Sequence, residues 1–255
     1  MVERSGRQPA SVVVLVHGAW HGAWCWERVV ERLSSGGVRA VAVDLPGHGR
    51  DSGPLGDLHH DATRVRDVLD GVDGPVVLVG HSYGGAVITE AGCHPAVGHL
   101  VYLCALALDG DETCTSAAAV EAAAAQISHE GRPNLGSGLI PDDEGAAVTL
   151  ETSVATACLY NDCEPDTVDW AVARLGPQPL VTLQQSPAAV AWRTKPSTYV
   201  VCADDMAIHP DLQRILAKRC THSIEWDSGH SPFLSRPDQL AATLRELAIS
   251  VAKRQ

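Results

Sequence analysis

Four short stretches of this chain are almost continuously apolar: SVVVLV (11–16), PVVLVG (75–80), LVYLCAL (100–106) and STYVVCA (197–203). Each has the length of a strand and lacks the alternation of a strand with one wet face. Strands of this kind are buried on both sides, as in a parallel sheet covered by helices. VRAVAV (38–43) and HSIEWD (222–227) add two less apolar strands. Helical patterns separate them. They run from about Ala23 to Ser35, where Gly36-Gly37 stops the helix, through DATRVRDVLDGV (61–72), and from Tyr83 to about Cys93. DLQRILAKRC (211–220) follows, then PDQLAATLRELAISVAKR with Pro237 near its start. This alternation predicts an α/β fold: a mostly parallel central sheet, right-handed crossovers and helices on both faces.

The rhythm breaks between residues 109 and 192. This stretch holds the alanine-rich AAAVEAAAAQ (117–126), a loop-like HEGRPNLGSGLIPDD (129–143), and helical patterns around 144–158 and 165–175, with no clear strand. It reads as a helical cap insertion over a core formed by residues 1–108 and 193–255, a single domain in all. A chain of 255 residues is long enough to bury such a core.

Composition narrows the function classes. With 19 Lys and Arg against 31 Asp and Glu, the net charge is −12. Such a surface repels phosphate backbones and anionic lipid, so neither nucleic acid nor a membrane surface is an expected partner. The N-terminal MVERSGRQPA lacks the apolar segment of a secretory signal, and no apolar run is long enough to span a bilayer. The expected location is the cytoplasm. Arg outnumbers Lys, and Ala, Val, Gly and Asp are abundant, as in chains from GC-rich bacterial genomes. In that compartment the eight cysteines (25, 93, 104, 114, 158, 163, 202 and 220) are expected to be reduced thiols. There is no CxxC pair, and no metal site is expected.

Gly80-His81-Ser82-Tyr83-Gly84 fits G-x-S-x-G. A strand precedes it and an apolar helix follows, which is the context a nucleophile elbow requires. Ser82 would stand at the C-terminal edge of the sheet, and the N–H of Tyr83 would face an oxyanion. His230, in WDSGHSPF after the last predicted strand, is the expected base, whereas His81 is expected to point away across the turn. The acid belongs just past STYVVCA, where Asp204 and Asp205 both stand. A second oxyanion donor is expected in HGAWHG (17–22), at the N–H of Ala19, with His17 organising that loop. Trp24 and Trp26 are expected to pack the core, and His59-His60 to form a surface pair.

HGAWHGAWCW, DLPGHGRDS, GHSYGG, VCADDMAI and SGHSPF occur in the order of the α/β-hydrolase superfamily, which the chain resembles over almost its whole length. The likeness is greatest to the group of plant methylesterases, hydroxynitrile lyases and related bacterial, pyrethroid-hydrolase-like esterases. LYNDCEPDTVDWAVARLGPQP (159–179) resembles that group's cap segment. The resemblance implies Asp205 as the acid and Ala19 as the oxyanion donor. Together with adjacency to the motifs, it implies Trp20, His21, Leu159 and Tyr160 as pocket residues. Ser231 follows His230 where the lyases carry Lys, which weakens a lyase reading. The expected function is a cofactor-free serine hydrolase, cleaving a small or medium apolar carboxylic ester through a Ser82–His230–Asp205 triad. The partner is a small-molecule ester, and a homodimer is an allowed assembly. Other chemistry with the same triad (C–C hydrolysis, perhydrolysis, cyclisation or lyase chemistry) and a slow-turnover ligand receptor stay open at this point.

Overall fold

The computed structural model describes residues 10–117 and 132–254. Most of the alanine-rich run lies outside them. Six strands form one wholly parallel sheet in the order β2-β1-β3-β4-β8-β9: β1 Val12–Val16, β2 Arg39–Val43, β3 Val76–His81, β4 Val97–Leu103, β8 Ser197–Cys202 and β9 His222–Trp226. Strand β1 shows why the sequence carries no alternation there. Val12, Val14 and Val16 enter one core, with Leu58, Val65 and Leu69 of α2 (Leu58–Asp70), α3 (Gly84–Ala91), and Leu212 and Leu216. Val13 and Leu15 enter a second core with Val29 and Leu33 of α1 (Glu27–Ser35), and Leu240 and Leu244. Both faces are dry, so both need apolar side chains.

The strand order places the site. The chain passes from β1 outward to β2, then returns to lay β3 on the other side of β1. The loops leaving β1 and β3 therefore diverge at a topological switch point, where open α/β sheets bind ligands. Val16 pairs with Gly80 in register, so HGAWHG and the turn at Ser82 emerge side by side.

Between β4 and β8 the chain leaves the sheet, and here one expectation is corrected. The described part of 109–192 is not purely helical. It contains a three-stranded antiparallel sheet: β5 Leu139–Pro141, β6 Ala147–Leu150 and β7 Gln178–Pro179. The helix expected over 144–158 is confined to α4, Thr152–Leu159. Asp142 explains the difference. Its carboxylate accepts from the N–H groups of Ala146 and Ala147, at 2.8 and 3.2 Å, and closes a hairpin that turns through Gly145 at φ +67°. Strands of two to four residues are too short to show period-two patterning. Helices α5 (Pro165–Val172) and α6 (Leu180–Gln184) complete the described part of the insertion. After β8 come α7 (Pro210–Ala217), α8 (Pro232–Ser235) and α9 (Pro237–Ala252).

Candidate active site

Ser82 occupies a strained turn between β3 and α3. Its φ is +53°, a region that costs a side-chain-bearing residue about 1–3 kcal/mol. Hydrogen bonds hold it there: its N–H donates to Leu103 O (3.3 Å), and its carbonyl accepts from Gly85 N (3.0 Å) and Leu106 N (3.1 Å). The flanking glycines are required by close approach. A Cβ on Gly80 would lie 2.4 Å from Gly84 O, and one on Gly84 would lie 2.6 Å from His17 O. The turn leaves Ser82 partly exposed, while His81 and Tyr83 on either side are buried.

His230 and Asp205 meet across the loops after β9 and β8. His230 Nδ1 donates to Asp205 Oδ2 at 2.7 Å, and both side chains are almost wholly buried. The Asp205 carboxylate also accepts from Ala207 N (2.7 Å), Ile208 N (2.9 Å) and Gln213 Nε2 (2.8 Å). Four N–H donors converge on it, the set that compensates for burying a carboxylate. Asp204 is exposed and, among the described residues, meets the site through its backbone. The geometry therefore brings Asp205, not its neighbour, to the imidazole. The inserted segment reaches both loops: Asn161 Nδ2 donates to Asp204 O (3.0 Å), and Gly229 N donates to Asp162 Oδ2 (2.8 Å).

The loop after β1 lies against the turn. A Cβ on Gly18 would sit 2.8 Å from Ser82 Cβ, so only glycine allows this approach. Among the described residues, the N–H groups of Ala19 and Tyr83 donate to no protein acceptor. Their neighbours are firmly bonded. His17 Nδ1 donates to Gly18 O (2.8 Å) and its Nε2 accepts from Leu45 N (3.2 Å). His21 Nδ1 donates to Ala19 O (2.7 Å) and its Nε2 accepts from the Tyr160 hydroxyl (2.9 Å). Burial pushes His17 well below the usual imidazole range and His21 down to about 4. Both rings stay neutral, as their acceptor roles need. Trp20, His21 and Tyr160 are thus all buried with their polar atoms engaged, and Leu159 belongs to the core around Trp26 and Phe233. Trp26 is fully buried; Trp24 is partly buried, against His21 and Trp170.

Four contributors were not foreseen. Gln213 bridges Asp205 Oδ2 and Ile208 O, while its own Oε1 accepts from Cys202 N (2.9 Å). A polar residue between Leu212 and Leu216 on a buried helix face was its only trace. His81 Nε2 donates to the backbone carbonyl of His230 (2.8 Å), so it supports the base rather than the nucleophile. Asp61 accepts from the Tyr83 hydroxyl at 2.5 Å, and it interrupts the apolar stripe of Leu58, Ala62, Val65 and Leu69. Gln178, 1% exposed, binds Trp20 N at 3.2 Å. His81, Cys104 and His230 present ligand-type atoms within 4.8 Å of one another. His81 and Cys104 both already donate to His230 O, which accounts for the cluster by packing. His59 pairs with Glu90 at 2.8 Å rather than with His60.

With the fold and the geometry around Ser82 described, the chain can be set beside known proteins. Residues 13–243 match the alpha/beta hydrolase family. The chain belongs to that family. An "alpha/beta hydrolase nvfD" of Aspergillus novofumigatus is 32% identical over 92% of this chain and 96% of its own. A carbendazim-hydrolyzing esterase from a Nocardioides strain is 30% identical over 92% and 98%. Among solved structures, a pyrethroid hydrolase from Sphingobium faniae superposes with a TM-score of 0.81 at 26% identity, covering 96% of this chain and all of that one. This alpha/beta hydrolase is an enzyme of esterase type. Among its described residues, no helix is long and apolar enough to cross a membrane.

Proposed function

We propose that this alpha/beta hydrolase cleaves a small or medium apolar carboxylic ester through a Ser82 acyl-enzyme. The observation that carries the reading is the buried 2.7 Å bond between His230 Nδ1 and Asp205 Oδ2, on loops adjoining the strained turn at Ser82. Asp205 fixes the tautomer of His230, leaving Nε2 to take the Ser82 proton. The Ser82 oxygen attacks the ester carbonyl, and the negative charge passes to the carbonyl oxygen. The free N–H groups of Ala19 and Tyr83 receive that charge, with Tyr83 at the N-terminal end of α3. The tetrahedral adduct collapses and the alcohol leaves with the proton from His230. Water, deprotonated by His230, then attacks the acyl carbonyl; the acid leaves and Ser82 recovers its proton. The insertion of residues 109–192 acts as a cap that shapes the acyl and alcohol pockets.

Fluorophosphonate labelling followed by peptide mapping tests the nucleophile. Ser82 should carry the adduct, and Ser82→Ala should abolish both labelling and hydrolysis of p-nitrophenyl esters. Full esterase activity in that variant would refute the proposal. Product analysis, with and without hydrogen peroxide, separates hydrolysis from other reactions of the same three residues.

A further inference from the structure

Trp20, the residue after the proposed oxyanion donor Ala19, is gripped at three atoms by the inserted segment. Its N–H donates to Gln178 Oε1 (3.2 Å), its carbonyl accepts from Gly176 N (2.8 Å), and its indole Nε1 donates to Val148 O (3.1 Å). Trp20 itself is held at φ +64°, a backbone state that a residue with a Cβ does not keep unaided. Two of its partners, Val148 and Gln178, are paired opposite one another in the small antiparallel sheet. Gln178 is buried, with both ends of its amide hydrogen-bonded. Its Oε1 also meets His48 Nε2 (3.2 Å), and its Nε2 donates to Thr182 Oγ1 (2.7 Å). Thr182 Oγ1 in turn donates to Pro179 O (2.6 Å). A polar chain thus runs from Trp20 into the insertion, through Gln178 and Thr182 to Pro179 O. Ala19 thus lies between two held peptides: Gly18 O, in the peptide that carries the Ala19 N–H, accepts from His17 Nδ1 (2.8 Å), and the peptide linking Ala19 to Trp20 is held by His21 at its oxygen and by Gln178 at its nitrogen, so losing the Gln178 contact loosens one side of the donor.

We infer that Gln178 is a positioning residue for the oxyanion hole: it aims the Ala19 N–H by holding Trp20 from the inserted segment. The inference rests on the serine-hydrolase reading above. It makes the insertion part of the catalytic apparatus as well as a wall of the pocket. Misplacing a donor by about 1 Å lowers the rate by up to about a hundredfold, and it acts on the transition state rather than on substrate binding.

The test uses the full chain, with steady-state hydrolysis of a p-nitrophenyl ester and the fluorophosphonate labelling rate. Gln178→Met keeps the side chain's length and removes the acceptor. It should lower kcat by about 10- to 100-fold with KM within about threefold, and slow labelling in parallel. Gln178→Glu restores an acceptor oxygen for Trp20 N–H and should recover most of kcat. A residue that only stabilised the fold would show the reverse, since a buried Glu is worse tolerated than Met. If the Met variant does not fold, Gln178→Asn replaces it: one methylene shorter, it keeps the amide but cannot reach Trp20. Unchanged kcat in the Met or Asn variant, or a Glu variant no better than either, overturns the inference. It does so independently of the parent reading if wild type still labels at Ser82. Activity surviving in Ser82→Ala overturns both.

Discussion

Asp61 offers a test of the buried polar framework that needs no substrate. Its side chain is 1% exposed, and its Oδ1 has no partner among the described residues. Burial is the main reason its carboxyl is raised from 3.8 to about 7; the Tyr83 hydroxyl opposes the shift and the charge of Asp57 adds to it. Between those two values the native state holds a proton that the unfolded chain has released. Stability therefore falls as pH rises from about 4 to about 7, then levels off. At about 1.4 kcal/mol per pH unit, the full loss is about 4 kcal/mol, of which about 3 lies above pH 5. Asp61→Asn removes the titration while keeping an acceptor for Tyr83. The amide introduces its own offset, equal at every pH. Urea unfolding at about pH 5 and about pH 8 should show the variant gaining on its parent by roughly 2–3 kcal/mol between the two. A difference between variant and parent that is the same at both pH values would refute the account.

Asp205→Asn should lower kcat by about 10⁴-fold in ester hydrolysis, whereas Asp204→Asn should stay within about twofold of wild type. Gly18→Ala, whose methyl would press on Ser82 Cβ and His81 Nδ1, should lose at least about tenfold in kcat, measured beside an unfolding curve that shows the fold persists. In a thiol titration of the native protein, Cys93, the exposed one among eight free cysteines, should react first. Buried Cys25, Cys104, Cys114, Cys158 and Cys202 should react only on unfolding.

The parallel sheet was legible because its strands are buried on both faces, so the signal in β1 and β3 is unbroken apolarity rather than a subtle period. The turn at Ser82 and the loops carrying Asp205 and His230 were legible because each follows directly on such a strand. A fold of this kind places its chemistry at strand ends. Asp204 and Asp205 could not be separated from local sequence alone, since which carboxylate turns inward depends on Ala207, Ile208 and Gln213 closing around one of them. The hairpin at Asp142 and the grip of Gln178 on Trp20 join residues with no sequence pattern between them. A buried glutamine looks like any other glutamine until its partner, 158 residues away, is known.

The neighbours β4 and β8 have a consequence for synthesis. By residue 103 the chain has made β2, β1, β3 and β4, yet the strand that covers the open side of β4 begins only at residue 197. At roughly 5–20 residues per second, a ribosome takes about 5 to 20 s to deliver it. Throughout that interval, Leu100 to Leu103 present a bare, apolar backbone edge to anything with a strand to offer. A chain stalled or truncated in the insertion should be a chaperone client and an aggregation seed, though every residue of the turn at Ser82 has already been made.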